Sequence, residues 1–374
     1  MATNSFLTAY AAEIGKCLSH DFDDNYDEDR FGSELRKSGA VVQLRGLAYS
    51  ALRAFQLQRT GASAVVINSA LGYIDGFVPR LEWLFGKLAD EESRRLLVQL
   101  VAYRALGHRK VRLPLNTPSF WTGLQNLKAQ APTGESIPAH FLEWKLPRLD
   151  LRALGTPTTL FTTPMGAYQI FGLQQYRCET GSGVIEARPG DYVIDGGGCW
   201  GDTALYFAER VGENGRVFTF EFVPANLEIM ARNLALNPLL ASRIDIIRHA
   251  LWHHSGQPLC FAAFGPGTTV AQSVAESNGL SAQSLAIDDL VAERNWPRLD
   301  FIKLDVEGAE LAVLQGAEKS IRQFKPQLAV ALYHRFEDFF TLPSFVDSLN
   351  LNYRLYLRHF TIHAEETMLY ARAE

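Results

Sequence analysis

A short apolar run that ends in a cluster of glycines constrains this chain more than any other feature. Residues 192–195 read YVID, residues 196–201 read GGGCWG, and apolar residues then recur at helical spacing as far as Val211. A second run, RVFTFE at residues 216–221, follows another glycine turn. This order predicts a strand, a tight turn, a helix and a second strand, which together open a nucleotide-binding βαβ unit.

The glycines and the acid at the end of the second strand suggest what this unit binds. Glycine tolerates the backbone angles of a tight turn and lets the backbone lie close to a ligand. The helix that follows presents unpaired N–H groups at its N-terminus. Glu221 ends the second strand beside the first, where a carboxylate can accept hydrogen bonds from both hydroxyls of a ribose.

The same letters satisfy G-x-G-x-x-G, so a nicotinamide dinucleotide is the first alternative ligand. Asp195 argues against it, because a carboxylate directly before the glycines would repel a pyrophosphate. That carboxylate suits a ligand that lacks phosphate and carries cationic groups. S-adenosylmethionine has an adenosine, a sulfonium and an ammonium, and it is the predicted ligand. A glycine-rich turn that binds nothing is the remaining alternative.

Composition limits the classes of protein that remain. The chain has 374 residues, 47% hydrophobic and 21% charged, which predicts two domains or one large domain with an extension. A net charge of −5 without any cluster of Lys and Arg argues against a nucleic-acid partner. We expect no membrane span and no secretory signal, because no apolar run of the required kind occurs. The four scattered cysteines indicate reduced thiols and no structural zinc, so we expect a cytoplasmic location.

The pattern changes near residue 150. We predict a mainly helical accessory domain for residues 1–150 and an α/β domain with alternating helices and strands for residues 151–374. Within the first domain, helices are predicted at residues 6–18, 41–60, 63–88 and 91–106, and strands at 108–115 and 141–149. Residues 160–187 are predicted to lead into the α/β domain through a helix or a hairpin, between which the periodicity does not decide.

Candidate site residues stand at the carboxyl ends of the predicted parallel strands, where sheets of this kind bind ligands. The adenine ring is expected at His249 and Ala250, with His249 either a contact or a rim residue. The predicted donor-binding residues are Asp195, Gly196, Gly197, Gly198, Gly201, Asp202, Glu221, Phe222, Asn226, His249, Ala250 and Asp305.

Two further strand ends, at Asp305 and His334, are left to face a methyl acceptor. A hydroxyl loses its proton as it attacks a methyl group, and an imidazole is a suitable base near neutral pH. His334 is therefore the candidate catalytic base, and a structural histidine that caps its strand is the alternative. Asp305 is predicted to orient His334 or the acceptor, or to touch the donor's ammonium. Mg²⁺ held by Asp305, Glu307 and Glu310 is considered but not favoured, because no dense carboxylate set converges in sequence.

Two motifs that the chain lacks limit the kinds of methylation that it is expected to catalyse. The predicted fourth strand continues as LDVEG, without the Asn/Asp-Pro-Pro-aromatic turn that holds an exocyclic base amine. No Pro-Cys pair offers a thiol for attack on a pyrimidine ring. Methylation of a nucleic-acid base is thus disfavoured, and O-methylation is favoured.

Several blocks in the second half of the chain are similar, in order, to those of one family. They are VIDGGGCWGDTALYFA, VFTFEFVPANLEIMARNLALN, HALW, LDFIKLDVEGAELAVLQGA, LAVALYHRFEDFF, YLRHF and ETMLYA. Over residues 184–374 the chain resembles the FkbM family of S-adenosylmethionine-dependent methyltransferases. The resemblance implies a Rossmann-like sheet of seven strands with the last strand antiparallel, and O-methylation of hydroxyls on polyketide-like natural products or on sugars. Phe222-Val223 departs from the family, which usually has Glu-Pro directly, but leaves Glu221 in place.

Two hypotheses of function follow. The first is an O-methyltransferase that acts on a hydroxyl of a sugar, a glycan or a glycosylated natural product, with a polyketide or other small metabolite as the alternative acceptor. The second is a donor-binding module without catalysis, in which residues 1–150 act as a scaffold. By resemblance to longer family members, those residues are expected to serve acceptor choice or assembly, including a homo-oligomer.

Overall fold

The computed structural model describes residues 5–32, 62–131, 134–262, 264–270, 277 and 280–374. The chain divides into two compact units, Met1–Thr117 with Thr361–Glu365, and Pro118–Phe360 with Glu366–Glu374. The division lies earlier than the predicted boundary near residue 150, because residues 118–161 form a helix and a small sheet that belong to the second unit. The helix predicted at residues 41–60 lies outside the described residues.

The regular elements that the structure describes in the first unit are helices. Its helices are α1 (Phe6–Cys17), α2 (Glu28–Phe31), α3 (Ala62–Ile74), α4 (Val78–Lys87) and α5 (Glu91–Leu106). Helix α1 buries Phe6, Tyr10 and Ile14, spaced four residues apart on one face. The side chain of Asp90 accepts a hydrogen bond from the Ser93 N–H and so caps α5.

The strand predicted at residues 108–115 is wrong. The segment consists of turns, and the side-chain amide of Asn25 donates hydrogen bonds to the carbonyl oxygens of His108 and Val111. Pro114 also lacks the N–H group that a sheet requires. The Asn25 side chain, which is distant in sequence, therefore binds carbonyl groups that the alternating apolar pattern predicted to pair with a neighbouring strand.

The second unit is built around one large sheet. Its strands are β1 (Ser136–Pro138), β2 (Lys145–Asp150), β3 (Thr159–Phe161), β4 (Cys178–Thr180), β5 (Gly183–Ile185), β6 (Tyr192–Gly196), β7 (Arg216–Phe220), β8 (Ile244–Ile247), β9 (Ala250–Leu251), β10 (Pro258–Ala262), β11 (Thr269–Val270), β12 (Ser281–Leu285), β13 (Phe301–Leu304), β14 (Gln327–Ala331), β15 (Tyr353–His359) and β16 (Thr367–Ala373). The seven-stranded sheet has the order β15-β16-β14-β13-β6-β7-β8.

The last strand of this sheet, β16, runs antiparallel to both of its neighbours, whereas β6 pairs in parallel with β7 and with β13. The predicted Rossmann-like sheet of seven strands with an antiparallel last strand is thus confirmed. Val193 and Ile194 in β6 are fully buried, as expected for a parallel strand covered on both faces. The order of strands reverses beside β6, so the carboxyl ends of β6, β7 and β13 border a crevice.

Helices connect these strands and cover the sheet. They are α6 (Pro118–Lys128), α7 (Pro164–Ala167), α8 (Asp202–Val211), α9 (Pro224–Leu236), α10 (Pro238–Ala241), α11 (Ile287–Glu293), α12 (Glu310–Gln315), α13 (Glu318–Phe324) and α14 (Asp338–Ser348), with a π-helix at Tyr168–Gly172 between α7 and β4. The lead-in segment therefore contains both a helix and a hairpin. In the described part of the chain, no helix is both long enough and apolar enough to cross a lipid bilayer.

Residues 309–323, whose apolar positions recur as in one continuous helix, form two helices in the structure. The break falls at Gly316, where an added Cβ would lie 2.3 Å from the carbonyl oxygen of Trp252. Helix α13 begins with its own cap, because the carboxylate of Asp288 accepts hydrogen bonds from the N–H groups of Lys319 and Ser320. Contacts with a distant loop decide this boundary, which the apolar periodicity does not show.

Candidate active site

A cleft of about 650 Å³, including its open mouth, lies at the carboxyl ends of β6, β7 and β13. Of the residues predicted to bind the donor, seven line it: Gly197, Glu221, Phe222, Asn226, His249, Ala250 and Asp305. Five other predicted residues, and the predicted base, do not line it: Asp195, Gly196, Gly198, Gly201, Asp202 and His334. The structure thus brings together the strand-end residues around one space but keeps several glycine-turn residues behind its wall.

Glu221 directly follows β7, and its carboxylate is held by the N–H groups that precede α9 and by a side chain of that helix. Oε1 accepts hydrogen bonds from the N–H groups of Phe222 and Val223 at 2.6 and 2.7 Å, and Oε2 accepts one from the Asn226 side chain at 3.0 Å. Burial raises the pKa of Glu221 above its usual value, although these hydrogen bonds oppose the shift. The carboxylate is therefore fixed in orientation at the cleft.

Asp195, in contrast, is fully buried and faces a lysine in the neighbouring strand. Its oxygens accept hydrogen bonds from the hydroxyls of Thr203 and Thr219, and Oδ1 lies 3.1 Å from Lys303 Nζ. Lys303 also donates to the carbonyl oxygens of Gly196 and Gly197 at 2.9 and 2.7 Å. The expectation that Asp195 holds the donor's cationic end needs correction, because its charge is already paired inside the protein.

The remaining residues of the turn shape it from behind. Asp202 begins α8 and accepts a hydrogen bond from the Thr162 hydroxyl at 3.1 Å, and burial raises the pKa of its carboxyl group. An added Cβ on Gly198 would lie 2.0 Å from the Thr219 hydroxyl oxygen. Gly201 has φ +83° and packs against Met230. These residues position the turn and do not face the cleft.

The wall beyond β7 is aromatic and carries one unsatisfied nitrogen. Phe222 and Phe261 pack with their ring centroids 4.3 Å apart, and both line the cleft. His249 lines it as well, and its Nδ1 is buried without a hydrogen-bond partner among the described residues. Such groups are of the kind that bind a flat ring with a polar edge, and the adenine position stays a prediction.

On the opposite side of the cleft, His334 lies among three carboxylates. Its Nε2 is 3.5 Å from Asp305 Oδ1 and 3.3 Å from Glu307 Oε2, and its Nδ1 is 3.1 Å from Glu310 Oε1. Burial alone lowers the pKa of His334, but the contacts with Glu307 and Glu310 outweigh it and raise that pKa to about 11. These distances match ion pairs, yet neither ring nitrogen makes a hydrogen bond of normal geometry.

This environment argues against His334 as the general base. A histidine with a pKa near 11 already carries its proton at neutral pH, so it cannot accept another from a substrate. The cleft is lined instead by Asp305 and Glu307, with His334 behind them. Sequence position alone could not show this, because the three acids reach His334 from the end of β13 and the start of α12.

Several site residues escaped the sequence-based prediction. Lys303 had one recognisable signal, a lone cation inside the apolar run LDFIKL at a position that must be buried. Cys199 lines the cleft with φ +42°, and burial raises the pKa of its thiol well above the usual value. Gly265, Pro266 and Thr268, from the segment between β10 and β11, line it too.

Comparison with known proteins gives a family for this unit. Residues 183–361 match the family model described as the Methyltransferase FkbM domain. No protein with a curated description matches the chain. Among solved structures, the chain is similar to a methyltransferase FkbM from Methylobacillus flagellatus KT, with 19% identity and a TM-score of 0.49 over 82% of this chain and 61% of that one. The chain thus spans about three fifths of that protein.

Two further structures are similar over most of their own length. One is fibrillarin from Aeropyrum pernix in complex with natively bound S-adenosyl-L-methionine, with 12% identity and a TM-score of 0.34 over 63% of this chain and 97% of that one. The other is an O-methyltransferase from Bacillus cereus in complex with SAH, with 13% identity and a TM-score of 0.34 over 60% of this chain and 88% of that one.

Proposed function

Since residues 183–361 form a methyltransferase FkbM domain, we propose that this protein is an S-adenosylmethionine-dependent O-methyltransferase whose acceptor is a hydroxyl of a sugar, a glycan or a glycosylated natural product. One observation carries the proposal. A single cleft has the fixed carboxylate of Glu221 on one side and the carboxylates of Asp305 and Glu307 on the other. The first side suits a ribose, and the second suits a molecule rich in hydroxyls.

The residues of the cleft fit the donor. Glu221 offers carboxylate oxygens to two neighbouring hydroxyls, and the unpartnered Nδ1 of His249 can pair with the edge of an adenine. Phe222 and Phe261 supply an apolar surface for its ring. S-adenosylmethionine supplies a methyl group on a positively charged sulfur, which is already activated for transfer. The protein's main contribution is then to align donor and acceptor.

The acceptor side must also remove a proton. As the acceptor oxygen bonds to the methyl carbon, the bond between carbon and sulfur breaks and its electron pair stays on sulfur. The hydroxyl proton passes to a base, for which we propose Asp305 rather than His334, because Asp305 lines the cleft. Tyr333 donates a hydrogen bond to Asp305 Oδ1 at 3.1 Å and so orients the carboxylate. His334 then lies behind the two acids, with Nε2 within 3.5 Å of both, and helps to hold them in place.

A polyketide or other small metabolite is the alternative acceptor. Phe222 and Phe261 are assigned to the adenine ring, so the side left for the acceptor carries Asp305 and Glu307, which favour a polyol. A polyketide without neighbouring hydroxyls would give these two carboxylates no hydrogen bonds. For this reason the sugar or glycan is the preferred acceptor.

Two measurements in sequence test the proposal. Calorimetric titration with S-adenosylhomocysteine should show one binding site, and titration with NADH should show none. A screen with a deuteromethyl donor over sugars, glycosylated macrolides, polyketides and phenols should then give a labelled product from the sugars. Binding without transfer to any acceptor would favour a donor-binding module, and an absence of binding would overturn the assignment of the cleft.

We propose an accessory role in acceptor choice or assembly, including a homo-oligomer, for the helical unit. A cytoplasmic location agrees with the four free cysteines. Sedimentation of the full chain measures the assembly state. A monomer at all concentrations would leave acceptor choice as the role of the helical unit.

A further inference from the structure

The cluster of Asp305, Glu307 and His334 has the composition and spacing of a metal site. We propose that these three side chains bind one divalent first-row transition-metal ion through a carboxylate oxygen of each acid and Nε2 of the histidine. One potential ligand atom from each residue lies within 4.8 Å of the other two. The two acids follow β13, and His334 follows the neighbouring parallel strand β14, so the sheet itself brings the ligands together.

The distances fit a metal ion placed between the side chains. Bonds of about 2.1 Å at a tetrahedral angle separate two ligand atoms by about 3.4 Å. Nε2 of His334 lies 3.3 Å from the nearest oxygen of Glu307 and 3.5 Å from that of Asp305. Both distances match the separation expected of two atoms that bind the same ion.

The surroundings of the His334 ring also suit a metal ligand. Its side chain is only 9% exposed, yet neither ring nitrogen makes a hydrogen bond of normal geometry with the described residues. Its Nδ1 lies 3.1 Å from Glu310, whose side chain is 1% exposed and accepts hydrogen bonds from the N–H groups of Val306 and Gly308. With Nδ1 beside a fixed carboxylate, His334 has Nε2 left for a metal ion, and a carboxylate neighbour of this kind is usual for histidines that bind metals.

The donor set selects the kind of metal. An imidazole nitrogen with two carboxylates suits Mn²⁺, Fe²⁺, Co²⁺ or Zn²⁺, whereas Mg²⁺ and Ca²⁺ prefer oxygen alone. The oxygen-only Mg²⁺ site considered from the sequence, with Glu310 as a ligand, is thus replaced by one in which Glu310 orients His334.

The role of the ion rests on the proposed function. Asp305 and Glu307 line the cleft, so the open fourth coordination position would face the acceptor and take one of its hydroxyl oxygens. Coordination lowers the pKa of a hydroxyl and positions it for attack on the methyl carbon. The proton then leaves to the Asp305 oxygen that is not on the metal. Binding of the ion itself does not depend on this role.

Cobalt is the probe of choice because its visible spectrum reports ligand geometry. The full chain, first treated with a chelator, is titrated with CoCl₂ while the visible absorption is recorded, and MgCl₂ in excess is then added as a competitor. We expect one equivalent of bound Co²⁺ that Mg²⁺ does not displace. His334→Gln and Glu307→Gln should each weaken binding by more than about 10-fold. His254→Gln, which removes an exposed histidine, is the control and should bind Co²⁺ as the wild type does.

The outcomes separate this proposal from the proposed function. The metal site is overturned if the wild type binds no Co²⁺, or if it binds Co²⁺ no more tightly than His334→Gln does. This holds even if S-adenosylhomocysteine still binds. Co²⁺ binding without binding of S-adenosylhomocysteine keeps the metal site and removes the methyltransferase. Circular dichroism of each variant checks folding, and Glu307→Gln decides the matter if His334→Gln does not fold.

Discussion

Lys303 and Asp195 form an ion pair inside the sheet, with Nζ 3.1 Å from Oδ1 and side-chain exposures of 1% and 0%. Burial alone lowers the pKa of Lys303, but Asp195 and Asp305 outweigh it and leave that pKa raised. The same ammonium binds the carbonyl oxygens of Gly196 and Gly197. One cation therefore ties the strand end to the glycine turn that borders the cleft.

Lys303→Met should destabilise the protein because it leaves Asp195 as a buried charge without its counter-ion. Removal of one partner of a buried pair costs about 3–5 kcal/mol. Urea unfolding followed by circular dichroism measures the loss. The double variant Asp195→Asn/Lys303→Met should recover part of it, since the hydroxyls of Thr203 and Thr219 can still bind an amide. Equal stability of Lys303→Met and the wild type would show that the pair does not matter to the fold.

Glu221→Gln should weaken binding of S-adenosylhomocysteine while the protein stays folded. The charged oxygens are lost, and hydrogen bonds to a charged group contribute about 1.5–3 kcal/mol. The expected loss is therefore about 10- to 150-fold in Kd, measured by calorimetry. Glu228→Gln is the matched control, because Glu228 lies on the next helix with its side chain 54% exposed and pairs with Arg232. A similar loss in both variants would contradict a specific role for Glu221.

On acidification, the affinity for S-adenosylhomocysteine should also begin to fall at a higher pH than it would with a glutamate of ordinary pKa. Burial raises the pKa of Glu221, so its carboxylate is charged above that raised pKa and takes up a proton as the pH falls through it. Affinity then decreases as the pH falls through that raised pKa. Calorimetry from pH 8 to pH 5 on the wild type and on Glu221→Gln isolates the effect, since both keep Lys303, Asp202 and Asp305. Parallel curves for the two proteins would exclude Glu221 as the titrating group.

Much of the architecture could be predicted because it depends on local pattern. The apolar runs that end at Asp195, Glu221 and Asp305 became parallel strands of one sheet, and the ends of those strands meet as expected. The glycine turn and the start of α8 also follow directly from residue type.

What failed depends on contacts between distant residues. Pattern alone could not show that Asp195 is neutralised by Lys303, because the pairing exists only once β6 and β13 lie side by side. Nor could it show that three acids surround His334, since they reach it from a neighbouring strand end and helix. The charge state of a site is set by the whole set of neighbours, and a strand-end residue reveals only one of them.

Gly197→Ala provides the sharpest test of the turn, because Gly256→Ala is a control with the same backbone strain. Both glycines have positive φ, +83° and +77°, so alanine should cost about 1–2 kcal/mol at either position. An added Cβ on Gly197 would also lie 2.0 Å from the carbonyl oxygen of Asp305, whereas Gly256 has no atom within 4 Å. Gly197→Ala should therefore lose about 1–3 kcal/mol more in urea unfolding.

The two alanine variants should also differ in ligand binding. Backbone atoms cannot yield as a flexible side chain does, so the extra methyl group must push Asp305 away from Gly197, and both residues line the cleft. Gly197→Ala should consequently bind S-adenosylhomocysteine more weakly, while Gly256→Ala binds it as the wild type does. If both variants bind it equally well, the contact between the glycine turn and Asp305 does not shape the donor site, and the turn contributes only to stability.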